Sequence, residues 1–139
     1  MWTSFWRWFR RASPPPLGTR GEEVAARFLR RLGYRILARQ AREEHGELDL
    51  IALDGRVIVF VEVKTRSSAE VGHPAEAVDL QKQQRMTRAA LAFLRKHRLL
   101  ENPVRFDVIA VIWPDGVKHP QIEHFRHAFE PPGRGQFFG

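Results

Sequence analysis

Two periods alternate along the chain. Between residues 19 and 32 the apolar positions Val24, Ala25, Phe28, Leu29 and Leu32 have the three- and four-residue spacing of a helix with one buried face. Thr19 is placed to cap its start and Gly33 to stop it. Tyr34 to Arg42 reads as a strand. GELDLIAL, residues 46–53, alternates with period two, Asp54-Gly55 signals a hairpin, and residues 56–65 read as a third strand. After a loop over 66–73, Pro74 suits the first turn of a helix running to about Arg98. Met86, Ala89, Ala90 and Phe93 form that helix's buried stripe. Val104 to Trp113 is a fourth strand, ending at Pro114-Asp115-Gly116, and one more short strand fits behind it. The order α-β-β-β-α-β predicts an α/β fold, a mixed β-sheet flanked by helices.

A chain of 139 residues has the size of one domain with a real core. Residues 17–130 carry the periodic pattern and read as that domain. Residues 1–16 end in Pro14-Pro15-Pro16, a stiff linker, and residues 131–139 form a Pro/Gly-rich tail. Trp2, Phe5, Trp6 and Phe9, with arginines between them, have the spacing of a short amphipathic helix for a membrane surface or a partner. The plainer reading is a terminal segment that is mobile or tucked against the domain. The absence of cysteine excludes disulfides and thiolate metal sites. No apolar run reaches the roughly 18 residues that span a bilayer. The first residues lack the apolar stretch of a signal peptide. The expected location is the cytoplasm.

The net charge of +7 is unevenly spread. Residues 1–42 hold ten arginines against Glu22 and Glu23. Residues 43–70 hold seven acids against three bases, and residues 71–98 hold six bases against two acids. An acidic centre therefore lies between two basic flanks. Basic surface attracts a polyanion by neutralising phosphates and releasing counterions. Carboxylates within it form either a metal site or a solvated face.

The apolar strand VIVFVEVK carries Glu62 and Lys64 near its end. Residues two apart share a face of a strand, so these two are neighbours, and Val57, Val59, Val61 and Val63 take the other face. A tight turn makes the two central strands antiparallel, with paired positions summing to about 109–112, which sets Asp49 opposite residues 60 to 63 and near Glu62. Two carboxylates at about 4 Å repel by roughly 4 kcal/mol at an effective dielectric near 20. A proton or a cation between them relieves that. Lys64 relieves part of it, and a hard divalent ion such as Mg²⁺ would relieve more. The alternative is an ordinary surface ion pair.

In the first helix Glu23 points away from the apolar stripe and can bridge to Arg27, whereas Glu22 lies at the stripe's edge, where it can face the sheet. In the long helix Lys82 falls on the buried stripe. It either snorkels outward or points at the carboxylates or a phosphate. Gln81, Arg85 and Arg88 face outward and suit either phosphate contacts or a solvated face. His119, His124 and His127 make a poor zinc pattern without cysteine. His45 and His73 sit in loops beside the acidic region, and Asp107 is a strand acid suited to a structural or supporting role.

A helix glutamate, an aspartate and E-x-K on a hairpin, followed by a basic helix, resembles the PD-(D/E)xK nuclease superfamily. GTRGEEVAARFLRRLGY, GELDLIALDG, VFVEVKTR, GHPAEAV with a following lysine, and RFDVIAV resemble, in order and spacing, the YraN family of uncharacterised endonuclease-like proteins, over about residues 18–112. That family is similar in turn to archaeal Holliday junction resolvases. One departure is Gln40, where the family usually has asparagine, with little effect expected on catalysis. The resemblance implies a restriction-endonuclease-like fold and a Mg²⁺- or Mn²⁺-dependent endonuclease acting on DNA, of the structure-selective kind that serves repair or recombination. Glu22, Asp49, Glu62 and the carbonyl of Val63 would hold one or two ions. Glu22, Asp49, Glu62 and Lys64 form the expected catalytic set. Arg66, Lys82, Arg85 and Arg88 are the expected nucleic-acid contacts. A homodimer would supply the two sites that a junction resolvase needs. The rival readings are a non-catalytic nucleic-acid-binding module with the same fold and an adaptor acting through its aromatic N-terminal segment.

Overall fold

The structure, a computed structural model, describes residues 20–67 and 78–131. The aromatic N-terminal segment, the proline linker, His73, Pro74 and the tail from residue 132 lie outside the described residues. The elements are α1 (Arg20–Arg31), β1 (Arg35–Glu43), β2 (Gly46–Asp54), β3 (Val57–Arg66), α2 (Leu80–Lys96), β4 (Val104–Ile112) and β5 (Gln121–Phe125). One sheet runs in the order β1-β2-β3-β4-β5. Its pairs are antiparallel except β3–β4, which is parallel. This is the expected α/β architecture, with α2 as the crossover that a parallel pair requires. Among the described residues no helix is long and apolar enough to cross a membrane.

Strand alternation sends successive side chains to opposite faces, and each face has its own core. Ile51, Leu53, Ile58, Phe60 and Phe106 pack under α2 through Met86, Ala89, Ala90 and Phe93. Leu50, Ala52, Val59, Val61, Ile109 and Val111 pack under α1 through Ala25, Ala26 and Leu29. The β2–β3 pairs all sum to 111, from Asp54↔Val57 to Leu50↔Val61, within the expected range. The two-residue loop is Gly55-Arg56, one position later than Asp54-Gly55, and Gly55 takes the left-handed conformation with φ 62°. Such loops need positive φ, which glycine adopts without steric cost.

Two helix boundaries depart from expectation. Asp79 is extended (φ −69°, ψ 171°) and caps α2 by accepting the Lys82 amide at 2.8 Å. The helix therefore starts at Leu80 and does not run unbroken from Pro74. In α1 the buried residues are Gly21, Glu22, Ala25, Ala26 and Leu29, and Leu32 is 53% exposed. The helix ends before Leu32, with Gly33 at φ 94° and Tyr34 donating its amide to the Leu29 carbonyl. The helix face with the smallest side chains lies nearest the sheet. At about 100° per residue Glu22 sits near the middle of that face, not at its edge.

A buried polar set lies on the α1 face. Asp107 is fully buried and accepts from Arg105 Nε (2.8 Å) and Nη2 (3.0 Å) and from the His127 amide (3.0 Å). His124 Nε2 lies 2.7 Å from Oδ2, the oxygen that also takes Arg105 Nη2. Arg105 also donates to Asp54 (3.0 Å) and Tyr34 Oη (2.8 Å). Burial pushes Asp107 up, but its bonds to His124, Arg105 and the His127 amide together hold it below the usual carboxylate range. The network ties β5 and the residues after it to the sheet.

Candidate active site

Backbone pairing between β2 and β3 stops at Leu50↔Val61, although both strands continue. Beyond that point Asp49 Oδ2 takes the Val63 amide at 2.9 Å, a bond that a ladder partner would otherwise make. Asp49 and Glu62 share the face that carries α2, close enough for each carboxyl to shift the other. Lys64, two residues on from Glu62, puts Nζ 3.2 Å from Glu62 Oε2. Lys82, in the first turn of α2, puts Nζ 2.5 Å from the same oxygen. Its place on the buried stripe thus aims it at the carboxylates.

Electrostatics separates the two acids. Burial, the neighbouring Glu62 charge and, further off, Glu22 push Asp49 up to about 8 against the pull of the Val63 amide. Burial also acts on Glu62, but the hydrogen bonds from Lys82 and Asp49 and the charges of both lysines hold it below the usual range. The two carboxyls are thus pushed in opposite directions, Asp49 up and Glu62, only 3% exposed, down beside Lys64 and Lys82.

These residues line a cleft of about 650 Å³ together with Glu22, Val63, Thr65 and the turn from Trp113 to Val117. Glu22 enters from the α1 side because Gly21 lets the helix start lie against β3. A Cβ on Gly21 would fall 1.9 Å from Thr65 Oγ1 and 3.2 Å from Thr65 Cβ. Gly21→Ala is expected to push α1 off β3 at a cost of about 1–3 kcal/mol, the usual range for overpacking. Adding Thr65→Ala should recover most of the loss. Urea denaturation of the two variants checks this, and equal stability of Gly21→Ala and wild type would refute the close-approach account.

The structure brings Glu22, Asp49, Glu62, Val63, Lys64 and Lys82 together. Arg66, Arg85 and Arg88 are not in the cleft lining; the last two are exposed on the outer side of α2. Glu23 pairs with Arg27 at 3.5 Å, as expected, and with Arg39 of β1. His127 pairs with Glu130 and His124 with Asp107, so neither histidine joins a zinc set. Among the described residues no group of three histidine or acidic side chains is gathered to hold a metal ion. Gln40 lies between the pairs Arg39↔Leu50 and Ala41↔Leu48, across from Asp49, with φ 47°. Asparagine tolerates that left-handed backbone better than glutamine, which gives the departure at this position a physical meaning.

Sequence reasoning missed the wall formed by Trp113 to Val117. The signal was present in the topology, because ligand sites of α/β sheets collect outside the carboxyl ends of parallel strands. Trp113 directly follows β4, whose parallel neighbour β3 ends at the cleft.

A model of the uncharacterised protein family UPF0102 matches residues 21–111, more than half of the chain. The chain belongs to this family. The UPF0102 protein of Rhodopirellula baltica is 49% identical over 126 residues, which cover 88% of this chain and 75% of the relative. That of Chlorobium phaeobacteroides is 48% identical over 120 residues, covering 84% and 95%. That of Geobacter sulfurreducens is 49% identical over 116 residues, covering 82% and 88%. UPF0102 is the YraN family that the motifs resemble. The UPF0102 match contains Glu22, Asp49, Glu62 and both lysines, and it stops short of Trp113 and Asp115.

Proposed function

We propose that the protein is a Mg²⁺- or Mn²⁺-dependent endonuclease that hydrolyses DNA phosphodiester bonds in the cytoplasm. Branched or damaged DNA is the preferred substrate, because among the described residues no element is shaped to read base edges. The observation that carries this reading is the cleft itself. Asp49 and the buried Glu62 face each other, Glu22 lines the same cleft, and Lys64 and Lys82 crowd one oxygen of Glu62. A site that draws two lysines onto one buried carboxylate has a place for positive charge. Its donors are all oxygens, which fits a hard divalent ion.

Glu22, Asp49, Glu62 and the carbonyl of Val63 would hold one or two ions. When bound, the metal lowers the pKa of a water and stabilises charge on the scissile phosphate. As a ligand Asp49 would be ionised, its proton released to solvent, and Lys82 would then be available to another anionic partner. Lys64 places positive charge where the pentacovalent transition state gathers negative charge, or orients the attacking water. A homodimer would present two such sites to a four-way junction.

One observation favours the rival reading, a binding module without chemistry. Glu62 is already paired with two lysines, Lys64 and Lys82. A cleavage panel decides between them: single-stranded, duplex, flap and four-way-junction DNA at low salt, with Mg²⁺ and with Mn²⁺. Metal-dependent cutting of the branched substrates is the expected result. Tight binding with no cutting on any substrate would overturn the nuclease reading in favour of the module.

A further inference from the structure

Four acids, Glu22, Asp49, Glu62 and Asp115, line the cleft around Lys64 and Lys82, and both lysines are engaged by Glu62. A polyanion approaching this cleft needs a cation that the acids do not already hold. Arg20 lines the cleft mouth and is exposed. Among the described residues no carboxylate pairs with it. Its guanidinium instead lies over the ring of Trp113, 4.2 Å from the centroid. The ring is itself fixed at both ends. The Trp113 amide donates to the Arg66 carbonyl at 2.7 Å and Nε1 donates to the Val117 carbonyl at 2.8 Å, which braces the turn that forms the opposite wall.

We propose that Arg20, stacked on Trp113, is the clamp that binds a backbone phosphate of the nucleic-acid strand entering the cleft. This rests on the reading of the cleft as a nuclease site. A guanidinium lying over a ring face keeps its N–H edge free, and that edge matches two phosphate oxygens at once. The stack limits the side chain's freedom before the substrate arrives, so less is lost on binding. Lysine keeps the charge without the fork. Trp113 touches no phosphate in this scheme and acts as a positioning residue through Arg20.

The test is binding without chemistry. The full chain is titrated, in EDTA, into a fluorescein-labelled four-way junction and into a linear duplex, and anisotropy is read over a range of salt concentrations. Arg20→Ala is expected to weaken binding at least about fivefold and to lower the salt slope by about one phosphate's worth. Arg31→Ala removes an equal charge from exposed surface outside the cleft and should change binding less than twofold. Arg20→Lys should keep the slope and lose part of the affinity. Trp113→Ala, with Arg20 present, should weaken binding while keeping the slope. Equal effects of Arg20→Ala and Arg31→Ala would overturn the clamp and leave the nuclease reading intact. Binding that depends on Arg20 in a protein that never cuts would overturn the nuclease reading and keep the clamp. No binding by wild type would overturn both.

Discussion

Asp49→Ala is expected to lose cleavage and divalent-ion binding together, whereas Lys64→Ala keeps ion binding and loses turnover by about 10²–10³-fold, the usual effect of deleting one group that stabilises transition-state charge. The difference follows from position. Asp49 is the acid that stands between the Val63 amide and Glu62. Lys64 and Lys82 reach the same oxygen of Glu62, so Lys82 still holds it when Lys64 is removed. The proton on Asp49 adds a pH dependence with a definite sign. Because Asp49 is pushed up to about 8, protons compete with the ion below that pH, and ion binding tightens as pH rises through it. Calorimetric titration of Mg²⁺ or Mn²⁺ at pH 6.5 and 8.5 measures this directly. Asp49→Asn should abolish the dependence along with most of the affinity. Cutting at the wild-type rate by Lys64→Ala, or ion binding unchanged in Asp49→Ala, would sink the assignment.

The largest loss of stability is expected at Asp107. Asp107→Ala leaves the Arg105 guanidinium buried with Asp54 as its remaining carboxylate, and it removes the acceptor of the His127 amide. Breaking a buried charge pair by deleting one partner costs about 3–5 kcal/mol, a large part of the roughly 5–15 kcal/mol that holds a domain together. Asp107→Asn keeps the shape and some of the hydrogen bonds and should cost less. Urea denaturation checks the order. A loss under about 1 kcal/mol for Asp107→Ala would mean that water replaces the missing carboxylate and that the network is not closed.

The hairpin was legible because its signals are local and strong: alternating apolar residues, a glycine at the turn, and an acid-x-lysine pair that can lie only on one face. Lys82 was legible for a similar reason, since its stripe runs through Met86, Ala89 and Phe93. The buried face of α1 was misread because weight was given to its large side chains. Gly21, Ala25 and Ala26 have little apolar surface, yet they set how closely the helix approaches the sheet, and that closeness brings Glu22 inward. The start of α2 was misread because Pro74 is a generic first-turn signal, while the specific one is Asp79, three residues before the amide it caps. The Asp107 network and the Trp113 wall join residues far apart in the chain, and neither leaves a periodic trace.

The register of the hairpin has a consequence for how such chains can vary in length. Asp49 and Glu62 stand on one face because β2 and β3 are joined by two residues and every pair sums to 111. One extra residue paired into β3 before Glu62 would turn it towards α1 and bring a valine into the cleft. Two extra residues would restore the face while moving Glu62 two rungs along the ladder. The count between the two acids is therefore tied to parity, and insertions that spare the cleft belong in the loop, outside the paired rungs.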